Sequence, residues 1–161
     1  SASVDLPEPV STGVIACQGG NMGGWSLYLD QGGRPTYLYN CFGHTLTFLA
    51  SDSVLNEGRH DIVVEYTHDG GFGAGGDAVL TVDGVQSAQG RIPQTVPVIY
   101  SMSGETFDVG RDTGSPVGPY PHNFRFSGEI EQVVLERLSD VSAETKSAER
   151  RGQFKASLSS Q

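Results

Sequence analysis

Gly58 to Arg91 reads GRHDIVVEYTHDGGFGAGGDAVLTVDGVQSAQGR. Ile62, Val64 and Tyr66 alternate with Val63, Glu65 and Thr67. Beyond a glycine-rich loop, Ala78, Leu80 and Val82 alternate with Val79, Thr81 and Asp83. A period of two buries one face and wets the other, so both runs are strands. Asp83-Gly84 follows directly, then Val85 to Arg91. Asp-Gly between alternating runs marks a hairpin, because both central residues of a type I′ turn need positive φ. The fold class is therefore all-β, built on antiparallel sheet.

Upstream, the pattern repeats at short intervals. Thr12 to Gln18 is a short strand, and Trp25 to Asp30 alternates Trp25, Leu27 and Leu29 inward with Ser26 and Tyr28 outward. Arg34 to Asn40 returns with Tyr37 and Tyr39 on one face and Leu38 on the other. His44 to Leu49 sets Leu46 and Phe48 against Thr45 and Thr47. Ser1 to Ser11 is polar, contains proline, and reads as a lead-in segment.

Downstream, Pro93 and Pro97 interrupt any ladder. Val98 to Met102 and Thr106 to Gly110 are short strand candidates. Arg111 to His122 holds three prolines and two glycines and reads as a surface loop. Asn123 to Phe126 and Glu129 to Leu138 close the sheet, the last with apolar residues on both faces, as in a central strand. Residues 12–138 then form one domain, and 139–161 is a polar C-terminal tail, helical at most over Ala143 to Arg151.

Composition limits the function. A chain of 161 residues suits one domain with a sizeable core, and 22 glycines suit a sandwich with many turns. The net charge of −9 argues against nucleic acid, whose binding requires basic groups on phosphates, and against anionic membranes. No apolar run approaches the roughly 18 residues of a membrane span. The first residues lack a basic region before an apolar stretch, so no signal peptide is expected. Cys17 and Cys41 lie in different strands and read either as a disulfide or as two small buried residues.

Several motifs compete with bland readings. Gly71 to Gly76 matches G-x-G-x-x-G, but a strand follows where a dinucleotide site needs a helix. Glu129 and Glu131 share a face as in sandwich-fold glucanases, yet the third acid of that pattern falls on Val134. His44, His60, His68 and His122 show no ligand spacing for zinc. Asp108 and Asp112 flank a glycine turn and are candidate Ca²⁺ ligands, against a turn with aspartate-capped N–H groups. Tyr28, Phe72 and Tyr120 are candidates for a carbohydrate-stacking platform; Trp25 is assigned to the core.

Three stretches carry a family resemblance. They are GVIACQGGNMGGWSLYLDQGGRPTYLYNCFG (Gly13 to Gly43), Gly58 to Ile92, and FDVGRDTGSPV (Phe107 to Val117). They resemble the C-terminal region of large bacterial arylsulfatases, and the domain is also similar to concanavalin A and laminin G-type sandwiches. The resemblance implies a two-sheet antiparallel jelly-roll-like sandwich. It implies a bacterial source, either cytoplasmic or exported, and a partner in the catalytic sulfatase domain of a parent chain. It transfers no catalytic residue. The C/S-x-P-x-R signature that becomes formylglycine is absent around both Cys17 (CQGGN) and Cys41 (CFGHT). The expected function is thus a non-catalytic C-terminal accessory or structural domain of a sulfuric ester hydrolase. The alternative is a lectin-like, carbohydrate-binding module assisted by Ca²⁺.

Overall fold

The computed structural model describes residues 1–97 and 107–137. The Val98 to Met102 strand candidate and the 139–161 tail lie outside the described residues. The described chain forms ten strands: β1 (Ala2–Leu6), β2 (Gly13–Gly20), β3 (Gly23–Leu29), β4 (Pro35–Cys41), β5 (Thr45–Ala50), β6 (Gly58–His68), β7 (Ala74–Val82), β8 (Val85–Gln94), β9 (Phe107–Val109) and β10 (Glu129–Val133). They build two five-stranded antiparallel sheets, β10-β1-β6-β7-β8 (sheet A) and β5-β4-β3-β2-β9 (sheet B). The protein is a jelly-roll-like β-sandwich.

The β6–β7–β8 meander matches its sequence pattern. Asp83 and Gly84 both take positive φ, 50° and 77°, as a type I′ turn requires. Ile62, Ala78, Leu80 and Val82 point inward and meet Leu27, Leu29, Tyr37, Tyr39 and Leu49 from sheet B. Burying a side chain such as Ile62 or Leu80 stabilises the fold by about 1.5–3 kcal/mol. Trp25 packs against this core, stacked on Tyr37 at a centroid distance of 6.3 Å. Pro93 lies inside β8 without breaking it, because β8 is the outer strand of sheet A and has one unpaired side.

The structure corrects three expectations. Ser1 to Ser11 is more than a lead-in: Ala2, Val4 and Leu6 are buried, and β1 pairs with both β6 and β10. The period of two is there, but Pro7 and Pro9 so close behind give the stretch the look of a loop.

β10 is an edge strand rather than a central one. Its sequence alternation is broken because the register against β1 shifts: Ser3 faces Gln132 while Val4 faces Ile130, leaving Glu131 as a bulge. The bulge slips the alternation by one residue, so Ile130 and Val133 both pack on the core.

β5 presents its apolar pair to solvent. Thr45, Thr47 and Leu49 face inward, whereas Leu46 and Phe48 face solvent at 39% and 47% exposure.

The third correction concerns Arg111 to His122. This segment is not a free surface loop, for Asp112 and Val117 are each 1% exposed. Together with the residues up to Phe126 it lies back over the outer face of sheet B. The Val14 N–H donates to the Phe124 carbonyl at 3.0 Å, and the Phe126 N–H to the Gly110 carbonyl at 2.8 Å. Val117 of this segment closes a second apolar cluster with Val14, Cys17, Tyr28 and Leu38 of sheet B.

Candidate functional site

The covering segment defines the most developed polar site among the described residues. The pairing registers align Ser26 on β3, Cys17 on β2 and Asp108 on β9 in one row across the outer face of sheet B. Leu38 on β4 and Phe48 on β5 extend the same row. Asp112 descends onto this row from the covering segment. One ligand atom from each of Cys17, Asp108 and Asp112 lies within 4.8 Å of the others.

Each aspartate also holds the segment. Asp108 Oδ2 accepts from the Thr113 N–H at 2.7 Å and the Thr113 hydroxyl at 2.6 Å. Asp112 Oδ2 accepts from the Val117 N–H at 3.0 Å and the Tyr120 hydroxyl at 2.7 Å. The reading of these residues as caps of a turn therefore has a geometric basis, and the same geometry brings the two candidate cation ligands together. Burial, then the bond to Asp112, pushes the Tyr120 phenol well above the ordinary tyrosine range. Burial, then the Asp30 charge, pushes the Tyr28 phenol up to about 12.

The carbohydrate platform is not assembled from the expected residues. Tyr28 is buried, and Tyr120 stacks over it at 5.1 Å with Phe124 beyond at 5.8 Å. These three rings fasten the covering segment to the sheet and leave no open ring face on Tyr28. Phe72 sits apart from them, 82% exposed on the β6–β7 loop. That loop is anchored at its base, where Arg91 pairs with both Asp69 and Asp77. Gly70, Gly71 and Gly73 turn it through positive φ. The following Gly75 and Gly76 belong to β7, so G-x-G-x-x-G opens a strand.

The remaining sequence candidates separate. Cys17 and Cys41 are not joined in a disulfide; both are buried, in different apolar clusters. Glu131 pairs with Arg59 across the edge of sheet A, and Val134 lies beyond the end of β10.

Sequence reasoning missed two features. One is Cys17 as a member of the Asp108–Asp112 group. The signal would have been a β2–β9 pairing between residues about ninety apart in the chain, and no local pattern specifies it. The other is the outward apolar strip of β5, which continues into the β4–β5 turn at Phe42, 44% exposed.

The fold and its outer site thus define a jelly-roll-like sandwich with one sheet face covered by its own chain. No protein-family model matches the chain, and no curated protein matches it. Among solved structures it is similar to a native heptameric SAP-like pentraxin from Limulus polyphemus, with 13% identity and a TM-score of 0.45. The match covers 80% of this chain and 58% of the pentraxin chain. The chain therefore spans less than two thirds of that protein's length.

Proposed function

We propose that this chain is a non-catalytic accessory module of a larger sulfuric ester hydrolase of the arylsulfatase kind, and that it packs on the catalytic domain of that protein. The observation that carries the reading is the outer surface of β5. Leu46, Phe48 and Ala50 are exposed and alternate along the outer edge strand of sheet B, next to exposed Phe42. An edge strand with an outward apolar strip leaves both backbone groups and apolar surface open to a partner, which soluble domains normally avoid. A neighbouring domain would cover it.

The stretches that resemble arylsulfatase C-terminal regions support the reading in a second way. They supply β2 to β4, β6 to β8, and β9 with the start of the covering segment. They are framework residues of the sandwich and carry no nucleophile of the sulfatase type.

A glycan-binding module is the second reading. Phe72 favours it as an aromatic ring held on the tip of an anchored loop. The experiment that separates the two is binding in trans. The purified chain is mixed with the catalytic region of its parent polypeptide and followed by sedimentation, alongside titration with sulfated and neutral glycans. Association lost in Leu46→Asp/Phe48→Asp supports the accessory reading. Glycan binding lost in Phe72→Ala, without domain association, would replace it.

A further inference from the structure

We propose that the outer face of sheet B holds a buried site for a thiophilic divalent cation of the zinc class, ligated by the Cys17 thiolate and the Asp108 and Asp112 carboxylates. This goes beyond the accessory reading and does not depend on it.

The first support is geometry. Cys17 and Asp108 are direct cross-strand partners, and Asp112 closes on them from above, with ligand atoms within 4.8 Å of each other. A tetrahedral zinc has metal–sulfur bonds of about 2.3 Å and metal–oxygen bonds of about 2.0 Å. Those lengths place ligand atoms roughly 3.3–3.6 Å apart, so side-chain rotations of about an ångström complete the site.

The second support is polarity without a partner. Ser26 is fully buried, and its Oγ makes no hydrogen bond within normal distance. It shares the cross-strand row with Cys17. A fully buried hydroxyl without a close partner calls for an explanation, and a cation held beside Cys17 supplies one. Asp112 adds to the argument. It is 1% exposed, and no cationic side chain pairs with it among the described residues. Its two hydrogen bonds, both on Oδ2, offset part of the cost of burying the charge, and a bound cation would supply the missing countercharge.

Sulfur decides the class of ion. Ca²⁺ takes six to eight oxygen ligands, and Cys17 occupies one side of this site. A thiolate with two carboxylates suits Zn²⁺ or Cd²⁺. The Cys17 thiol proton is released to solvent as the metal binds. Tyr120 and Ser26 then lie beside the ligands, where they orient the carboxylate and hold a metal-bound water.

The test uses the whole 161-residue chain, stripped with chelator and then given ZnCl2 or CaCl2. Elemental analysis after dialysis should give one zinc per chain. The melting midpoint should rise by roughly 5–10 °C at a hundredfold excess over Kd. Co²⁺ in place of zinc should give a thiolate charge-transfer band. Cys17→Ala and, independently, Asp108→Asn should abolish uptake and the band, while Cys41→Ser retains both. Zinc uptake unchanged in Cys17→Ala would overturn the proposal, and so would a midpoint raised by Ca²⁺ alone. No uptake by a chain that melts cooperatively would also overturn it.

Discussion

Replacing Asp112 with alanine should loosen the cover of sheet B while leaving the sandwich folded. Asp112 Oδ2 accepts two hydrogen bonds, from the Val117 N–H at 3.0 Å and the Tyr120 hydroxyl at 2.7 Å. A hydrogen bond to a charged group contributes about 1.5–3 kcal/mol. The two together set an upper limit of about 3–6 kcal/mol, from which the relief of burying a carboxylate must be subtracted. A net loss of about 2–4 kcal/mol follows. At roughly 2–4 °C per kcal/mol, the midpoint should fall by about 5–15 °C.

Asp112→Asn keeps an acceptor oxygen and should lose less than half as much. Urea unfolding in the presence of chelator, so that no cation contributes, measures both variants. A second readout localises the effect. Cys17 lies under the covering segment and Cys41 in the main core, so alkylation of Cys17 should accelerate in Asp112→Ala while Cys41 stays protected. If Asp112→Ala changes stability by less than about 0.5 kcal/mol, the segment is not held by this carboxylate and the reasoning fails.

Other perturbations separate the parts of the account. A Cβ on Gly118 would lie 2.1 Å from Leu38 Cδ2, so Gly118→Ala should lift the covering segment and cost about 1–3 kcal/mol by chemical denaturation. Gly84→Ala meets no atom within 4 Å and carries only the strain of φ +77°, so it should cost about 1–2 kcal/mol without changing the sheet's circular dichroism. Asp30 accepts from the Gly32 and Arg34 N–H groups at 2.8 and 3.0 Å and from the Arg34 guanidinium. Burial alone would raise its pKa, but these bonds hold it below the ordinary aspartate value. Its contribution to stability is therefore full above an unfolded pKa of about 3.9 and is lost as pH falls through the lower folded value. Asp30→Asn should flatten that acid limb of the stability curve and leave the slope near neutrality unchanged.

The local pattern made part of this structure readable. Ile62 to Val82 alternates cleanly, and Asp83-Gly84 specifies its own turn through two positive φ angles, so the β6–β7–β8 meander follows from sequence alone. Tyr37, Leu38 and Tyr39 also fall on the faces their alternation assigns. Elsewhere a non-local choice decides. Leu46 and Phe48 are more apolar than Thr45 and Thr47, yet Leu49 is the residue that β5 commits to the core, and period two then sends Leu46 and Phe48 outward. One inserted residue at Glu131 disguises an edge strand as a central one. Tyr28 was legible as outward-facing on its sheet, but nothing nearby in sequence announces that Val117 and Tyr120 would fold back over it. The candidate site follows the same rule. Asp108 and Asp112 are neighbours in the chain and were visible together, whereas Cys17 joins them only through the β2–β9 pairing.

The most direct test of the proposed accessory function is the affinity of this chain for the catalytic region of the proposed parent polypeptide, measured by sedimentation for the native chain and for Leu46→Asp/Phe48→Asp. Both side chains are partly exposed, at 39% and 47%, and Asp is a poor strand residue, so the comparison is made on a double variant that circular dichroism shows to be folded. The account predicts tight association of the native chain and a loss of at least about tenfold in the variant, because charge on a docked apolar strip is buried without a partner. Equal affinity in both proteins would show that β5 is not the docking surface, and no association of either would contradict the accessory function itself.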